Sequence, residues 1–250
     1  MLGLPVTASP LLSITMKPEF AYRYAIYFIP ALHSPWWAAG CHWLGRCAAT
    51  GQLLKQPHIA GVDAQQFRHY TADPRRYGWH ATLKAPFELR PDKSVTFLLR
   101  SMQELANELP AFDMPPLQVS TEGGFLALRP VGRTQAIEDT AAACVTRLHD
   151  FAQPLNEADL ARRRKALLTP AQDQMLVQWG YPWVLNEFKF HLSLTGPLAG
   201  MTEIERQALI HAAQTQFETL EPCRFAHIAL FVEPLKGADF QWLESVELRG

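Results

Sequence analysis

Apolar positions along this chain recur with two periods, one near 3.6 residues and one of 2. The run Tyr-Arg-Tyr-Ala-Ile-Tyr-Phe-Ile over 22–29 is aromatic and β-branched and stops at Pro30, which predicts a buried first strand. Residues 35–49 set Trp36, Trp37, Trp43 and Leu44 at helical spacing behind Ser34 and Pro35, predicting a helix that stops near Gly51. Scattered polar residues with Pro57, Gly61, Pro74 and Gly78 predict mostly loop over 52–78. A strand over 79–85 and an amphipathic helix over 91–109, ended by Pro110, come next. Strands over 117–120 and 125–129 are joined by Glu122-Gly123-Gly124. Helical stretches cover 134–151 and 157–179, the latter broken at Thr169-Pro170. A strand over 188–195 ends at Gly196-Pro197. A helix over 202–220 opens on the capping box of Thr202 and Glu205, and strands over 225–232 and 240–248 close the chain.

The order strand, helix, strand, strand thus occurs twice, with the central helices between. It predicts an α+β protein, bilobal and pseudo-symmetric, with two antiparallel sheets facing a central cleft and helices outside. The domain reading is one unit over 16–250, with a first half of about 16–133 and a second of about 134–250. Residues 1–15 read as an extension outside the fold.

Composition narrows the class only a little. Of 250 residues, 23 are Lys or Arg and 24 Asp or Glu, a net charge of −1, so no global field draws in a polyanion. No apolar run is long enough to span a bilayer, and the first fifteen residues lack a basic n-region and a cleavage site. A cytoplasmic monomer is the reading adopted. Cys41, Cys47, Cys144 and Cys223 form no Cys-x-x-Cys pair and read as reduced thiols. His33, His42, His58, His149, His211 and His227 show no metal-ligand spacing, so neither a metal nor a cofactor is expected.

Two strands carry the candidate chemistry. Read at period two, His80, Thr82 and Lys84 share one face of the first, and Lys189, His191, Ser193 and Thr195 share one face of the second. About one His-x-Thr/Ser is expected by chance in a chain with this composition, so a single match means little. Of the three matches, His69-Tyr70-Thr71 lacks apolar alternation and reads as accidental, whereas the other two occupy the same place in the repeated order. With an unperturbed pKa of about 6.5, one imidazole can be neutral while the other is protonated. That is the base and the acid a phosphate-ester reaction needs, with no metal. Thr82 and Ser193 can donate to phosphate oxygens, and Lys84 or Lys189 can offset charge.

The segments Tyr-Gly-Trp-His80-Ala-Thr82-Leu-Lys and Phe-Lys-Phe-His191-Leu-Ser193-Leu-Thr-Gly resemble the paired signatures of the two-histidine (2H) phosphoesterase superfamily. Residues 71–80, Thr-Ala-Asp-Pro-Arg-Arg-Tyr-Gly-Trp-His, are similar to the branch found with bacterial phosphonate-utilisation genes, a domain family of unknown function. The resemblance implies histidines facing across a cleft and a hydrolase: a metal-independent cyclic phosphodiesterase for a small nucleotide or ribose cyclic phosphate in phosphonate metabolism. The alternatives are processing of RNA 2′,3′-cyclic ends and a non-catalytic phosphate-binding module. Around the histidines, Arg75, Arg76, Tyr77, Tyr24 and Trp183 are further candidate substrate contacts. The basic run from Arg162 to Lys165 reads as a solvated helix face.

Overall fold

The computed structural model describes residues 21–250, so the expectation for residues 1–15 lies outside the described residues. The first strand, β1 (Arg23–Phe28), is buried almost throughout, as its aromatic run requires. It lies inside a four-stranded antiparallel sheet of order β2-β1-β8-β9, formed with β2 (Ala81–Phe87), β8 (His227–Glu233) and β9 (Gln241–Glu247). A three-stranded antiparallel sheet joins β4 (Leu117–Ser120), β5 (Phe125–Pro130) and β6 (Leu192–Pro197) in that order. A short pair, β3 (Phe112–Asp113) with β7 (Arg224–Phe225), lies apart from both. Each of the two larger sheets draws strands from both halves of the chain.

Eight α-helices among the described residues complete this mixed α+β architecture. The first, α1 (Pro35–Leu44), is capped by Ser34, whose hydroxyl accepts from the Trp37 N–H. It ends earlier than predicted because Gly45 takes a left-handed conformation, φ 78°, and its N–H returns to the Cys41 carbonyl. The expected loop over 52–78 instead holds α2 (Ala64–Tyr70) and α3 (Ala72–Tyr77). Asp63 starts α2 by accepting from the N–H groups of Gln65 and Gln66. These helices are too short for a hydrophobic period to register. Downstream, α4 (Val95–Ala106) lies against β8 and β9, and α5 (Gln135–Arg147) against β2. The stretch broken at Thr169-Pro170 resolves into α6 (Glu157–Arg164) and α7 (Pro170–Trp179). The predicted capping box of Thr202 and Glu205 opens α8 (Glu203–Phe217), which lies against β4. Among the described residues no helix is long and apolar enough to cross a membrane.

One core cluster runs through both sheets. Trp79 stacks on Phe217 at 5.4 Å between ring centroids and meets α1 at Gly40. Glu233, fully buried at the end of β8, accepts from Arg23 at 2.5 Å, from Arg76 and from the Gly237 N–H at 2.8 Å. It thereby ties β1, α3 and the β8–β9 connection together.

A β-carbon at Gly40 would stand 2.1 Å from the Trp79 ring. Gly40→Ala is therefore expected to cost about 1–3 kcal/mol by overpacking, outweighing the roughly 1 kcal/mol that alanine gains over glycine inside a helix. Urea unfolding of the two proteins checks this.

Candidate functional site

Both histidines sit one residue before a strand, not within it. The four-stranded sheet supplies His80, just ahead of β2, and the three-stranded sheet supplies His191, just ahead of β6. Their local geometry is the same. His80 Nδ1 lies 2.9 Å from the Gly78 carbonyl, and His191 Nδ1 lies 2.9 Å from the Lys189 carbonyl. A carbonyl only accepts, so Nδ1–H is the donor in each ring and Nε2 is the free acceptor of the neutral imidazole. Thr82 Oγ1 stands 3.3 Å from His80 Nε2 and donates to it.

The backbone before His80 is set by Gly78, at φ 84°, where a β-carbon would press to 2.6 Å from that of Ala48. On the other side, Trp43 Nε1 donates to the Leu194 carbonyl at 2.9 Å and fixes β6 against α1. Where the β5–β6 register shifts, Thr195 Oγ1 accepts from the Leu126 N–H at 3.1 Å and substitutes for a missing ladder bond.

His80, Thr82, His191 and Ser193 line one cavity of about 400 Å³. The period-two reading therefore brings these four together. Tyr77 also lines it, and so do Tyr27, Arg23, Arg163 and Tyr181. The Tyr27 ring lies on His80, 3.8 Å between centroids, and its buried hydroxyl has no hydrogen-bond partner among the described residues. Burial pushes the His80 imidazole down to about 4; the charge of His191 acts in the same direction and the Gly78 carbonyl opposes both. Burial also lowers His191, reinforced by the Arg129 guanidinium. Both rings are thus neutral near pH 7, ready to accept a proton.

Other candidates are placed differently. Lys84 does not face the histidines. The β1–β2 register steps from Tyr27↔Thr82 to Ile26↔Lys84, a bulge that breaks the alternation and turns Lys84 into a separate cavity. Tyr24 is buried against Phe87, 6.4 Å between centroids, and its neighbour Tyr27 takes the cleft position instead. Arg75 donates to the Arg68 carbonyl at 3.0 Å, and Arg76 is held by Glu233. Lys189 pairs with Glu122 at 2.6 Å. Lys189 and Trp183, together with Arg129, line an adjoining cavity that shares His191 and Tyr181 with the first. His69 lies in α2, outside the lining.

Arg163 is the residue the basic run concealed. Arg162 pairs with Asp159 and Arg164 with Asp173, whereas Arg163 between them reaches the cavity. Among the described residues no group of three or more His, Cys, Asp or Glu side chains is placed to hold a metal ion.

Fold and site together define a mixed α+β protein with a paired-imidazole cleft that Arg23, Arg163 and Asp73 also line. The chain belongs to the family described as "Protein of unknown function (DUF1045)", which matches residues 82–241. It is 36% identical over 225 residues to a protein of Janthinobacterium sp. (strain Marseille) named ribose 1,5-bisphosphate phosphokinase PhnN, covering 90% of this chain and 47% of that protein. It is 32% identical over 220 residues to a protein of the same name from Laribacter hongkongensis (strain HLHK9), covering 88% and 50%. The chain spans about half the length of these curated relatives.

These names correct the expected activity. A phosphokinase transfers a phosphoryl group, whereas a cyclic phosphodiesterase hydrolyses an ester, so the hydrolase expectation is overturned. An RNA 2′,3′-cyclic phosphodiesterase is a hydrolase of the same kind and is overturned with it.

The His80 environment has a consequence for stability. Between its ordinary value of 6.5 and about 4, the unfolded chain binds a proton at this residue that the folded chain does not. Stability therefore falls as pH is lowered through that window. Urea melts from pH 7 to 4 are expected to show a shallower fall for His80→Asn than for the parent, and equal slopes would refute the burial of a neutral ring.

Proposed function

We propose that this chain is the sugar-phosphate-binding, acid–base half of a phosphoryl-transfer enzyme in phosphonate metabolism, with ribose 1,5-bisphosphate or a close ribose phosphate as its ligand. The observation that carries the reading is the cavity shared by two neutral imidazoles, two hydroxyls and the guanidinium groups of Arg23 and Arg163. A ribose phosphate presents dianionic groups and hydroxyls, and the cleft presents their complement. Arginine offsets phosphate charge, and Ser193 donates to its oxygens, while Thr82 donates to His80 Nε2. A sugar oxygen that receives a phosphoryl group must lose its proton, and Nε2 of a neutral histidine is positioned to take it. The resemblance to the two-histidine superfamily supports the pseudo-symmetric pairing of the site, each half of the chain giving one His-x-hydroxyl segment. The reaction is drawn from the relatives' name instead.

We place the nucleotide donor with the part of the relatives that this chain does not match. No lysine in its 250 residues follows a glycine, so it contains no Gly-x-x-x-x-Gly-Lys-Ser/Thr phosphate loop. The phosphonate setting is supported by the similarity over residues 71–80 and by the PhnN relatives.

Calorimetric titration of the chain with ribose 1,5-bisphosphate is expected to give saturable one-site binding. Arg163→Ala and His191→Ala should each weaken it by roughly tenfold or more, about 1.4 kcal/mol. Proton NMR should show the His80 titration midpoint rising on saturation from about 4 toward 6.5, as a bound dianion favours the imidazolium. Absent binding, or binding unmoved by both substitutions, would reject the proposal.

A further inference from the structure

The bulge that removes Lys84 from the histidine cleft delivers it to a second cavity of about 240 Å³. Only 4% of this residue is exposed. No hydrogen bond or ion pair to its amine is present among the described residues, and its Nζ lies 5.3 Å from the centroid of the Phe87 ring. Taking an ammonium out of water without a counter-ion is costly. Burial accordingly holds the amine down to about 8, which still leaves most of it charged at neutral pH.

Lys84 is the sole residue of the lining with a formal charge, and neither Asp nor Glu contributes. Trp179 Nε1 is a donor only, it is buried, and it has no partner among the described residues. His149 packs edge-on against Trp179 at 4.9 Å, and its Nδ1 is likewise buried and unpartnered. Gln153 and Gln178 add amide groups to the lining, and Val145, Leu160, Leu176 and Val184 form an apolar patch in the wall. One cation, the indole N–H of Trp179 and an apolar patch complement a single negative charge on an apolar body. A phosphate dianion would exceed the charge present and leave the wall unused.

We propose that this cavity binds a small organic monocarboxylate, its carboxylate on Lys84 Nζ and its apolar body against Leu160 and Leu176. The site is separate from the histidine cleft and does not depend on the reading given for that cleft. Tyr181 lines both cavities and is the one side chain through which they touch besides the β2 residues Ala85 and Pro86.

The test is calorimetric titration of the full chain with benzoate and with butyrate, using benzyl alcohol and inorganic phosphate as comparison ligands. Saturable one-site binding of the carboxylates is expected, weakened by roughly tenfold or more in Lys84→Met and retained in His191→Ala. Benzyl alcohol and phosphate should bind at least as weakly to the parent as benzoate does to Lys84→Met. Leu160→Trp, which fills the apolar end from α6, should also block benzoate and serves if Lys84→Met does not fold. Carboxylate binding unchanged in Lys84→Met or Leu160→Trp overturns the proposal. Loss in His191→Ala alone does so too, as do phosphate bound as tightly as benzoate and no carboxylate binding at all.

Discussion

The site depends on one hydrogen bond made twice, from each imidazole Nδ1–H to the carbonyl two residues upstream. That bond fixes the tautomer, so Nε2 is the nitrogen offered to the cleft. It also holds the ring over the start of its strand, where the chain has not yet joined a ladder. A side chain in mid-strand would be aimed by the pleat alone. Here a short ring of backbone and imidazole aims it, and the strand that follows supplies the hydroxyl beside it. Gly78 permits the turn on one side, and the Trp43 bond to β6 steadies the other.

Two irregularities in strand pairing then decide which residues share the cleft. Between Thr82 and Lys84 a bulge separates neighbours that perfect alternation would have kept together. Near Thr195 a second shift is repaired by a side-chain hydroxyl, which keeps β6 on β5 while Thr195 still reaches the cavity. Cleft charge comes from helix and strand alike: Arg163 from α6 and Arg23 from β1. Arg23 is shared with the buried Glu233, so one carboxylate organises part of the rim without facing the ligand space.

Much of this was legible beforehand because it rests on local patterns. The run at 22–29, the capping box at Thr202 and the break at Thr169-Pro170 each act within a few residues, and each emerges where expected. The four residues His80, Thr82, His191 and Ser193 obey the same short-range alternation and meet in one cavity. What escaped depends on partners far away in sequence. Lys84 leaves the cleft because of how β2 pairs with β1, and nothing in residues 79–85 announces a bulge. Arg163 differs from Arg162 and Arg164 only in lacking an acidic partner among the surface residues around it. Tyr27 meets the site where Tyr24 does not, and a strand buried on both faces gives no hint of which face that will be. The reaction was misjudged for another reason, since a pair of histidines specifies proton transfer and not the group that moves with it.

The pairing of β1 with β8 also governs how the chain can reach this structure. Arg23 lies opposite Glu233, 210 residues later, and β1 has β2 on one edge and β8 on the other. During synthesis β1 therefore emerges some two hundred residues before the strand that covers its second edge. Until then that edge offers open backbone donors and acceptors to any other strand. High sequence separation of this kind slows folding and prolongs the interval in which misassociation competes. Until β8 has been made, the hydrophobic run at 22–29 is one edge of an unclosed sheet.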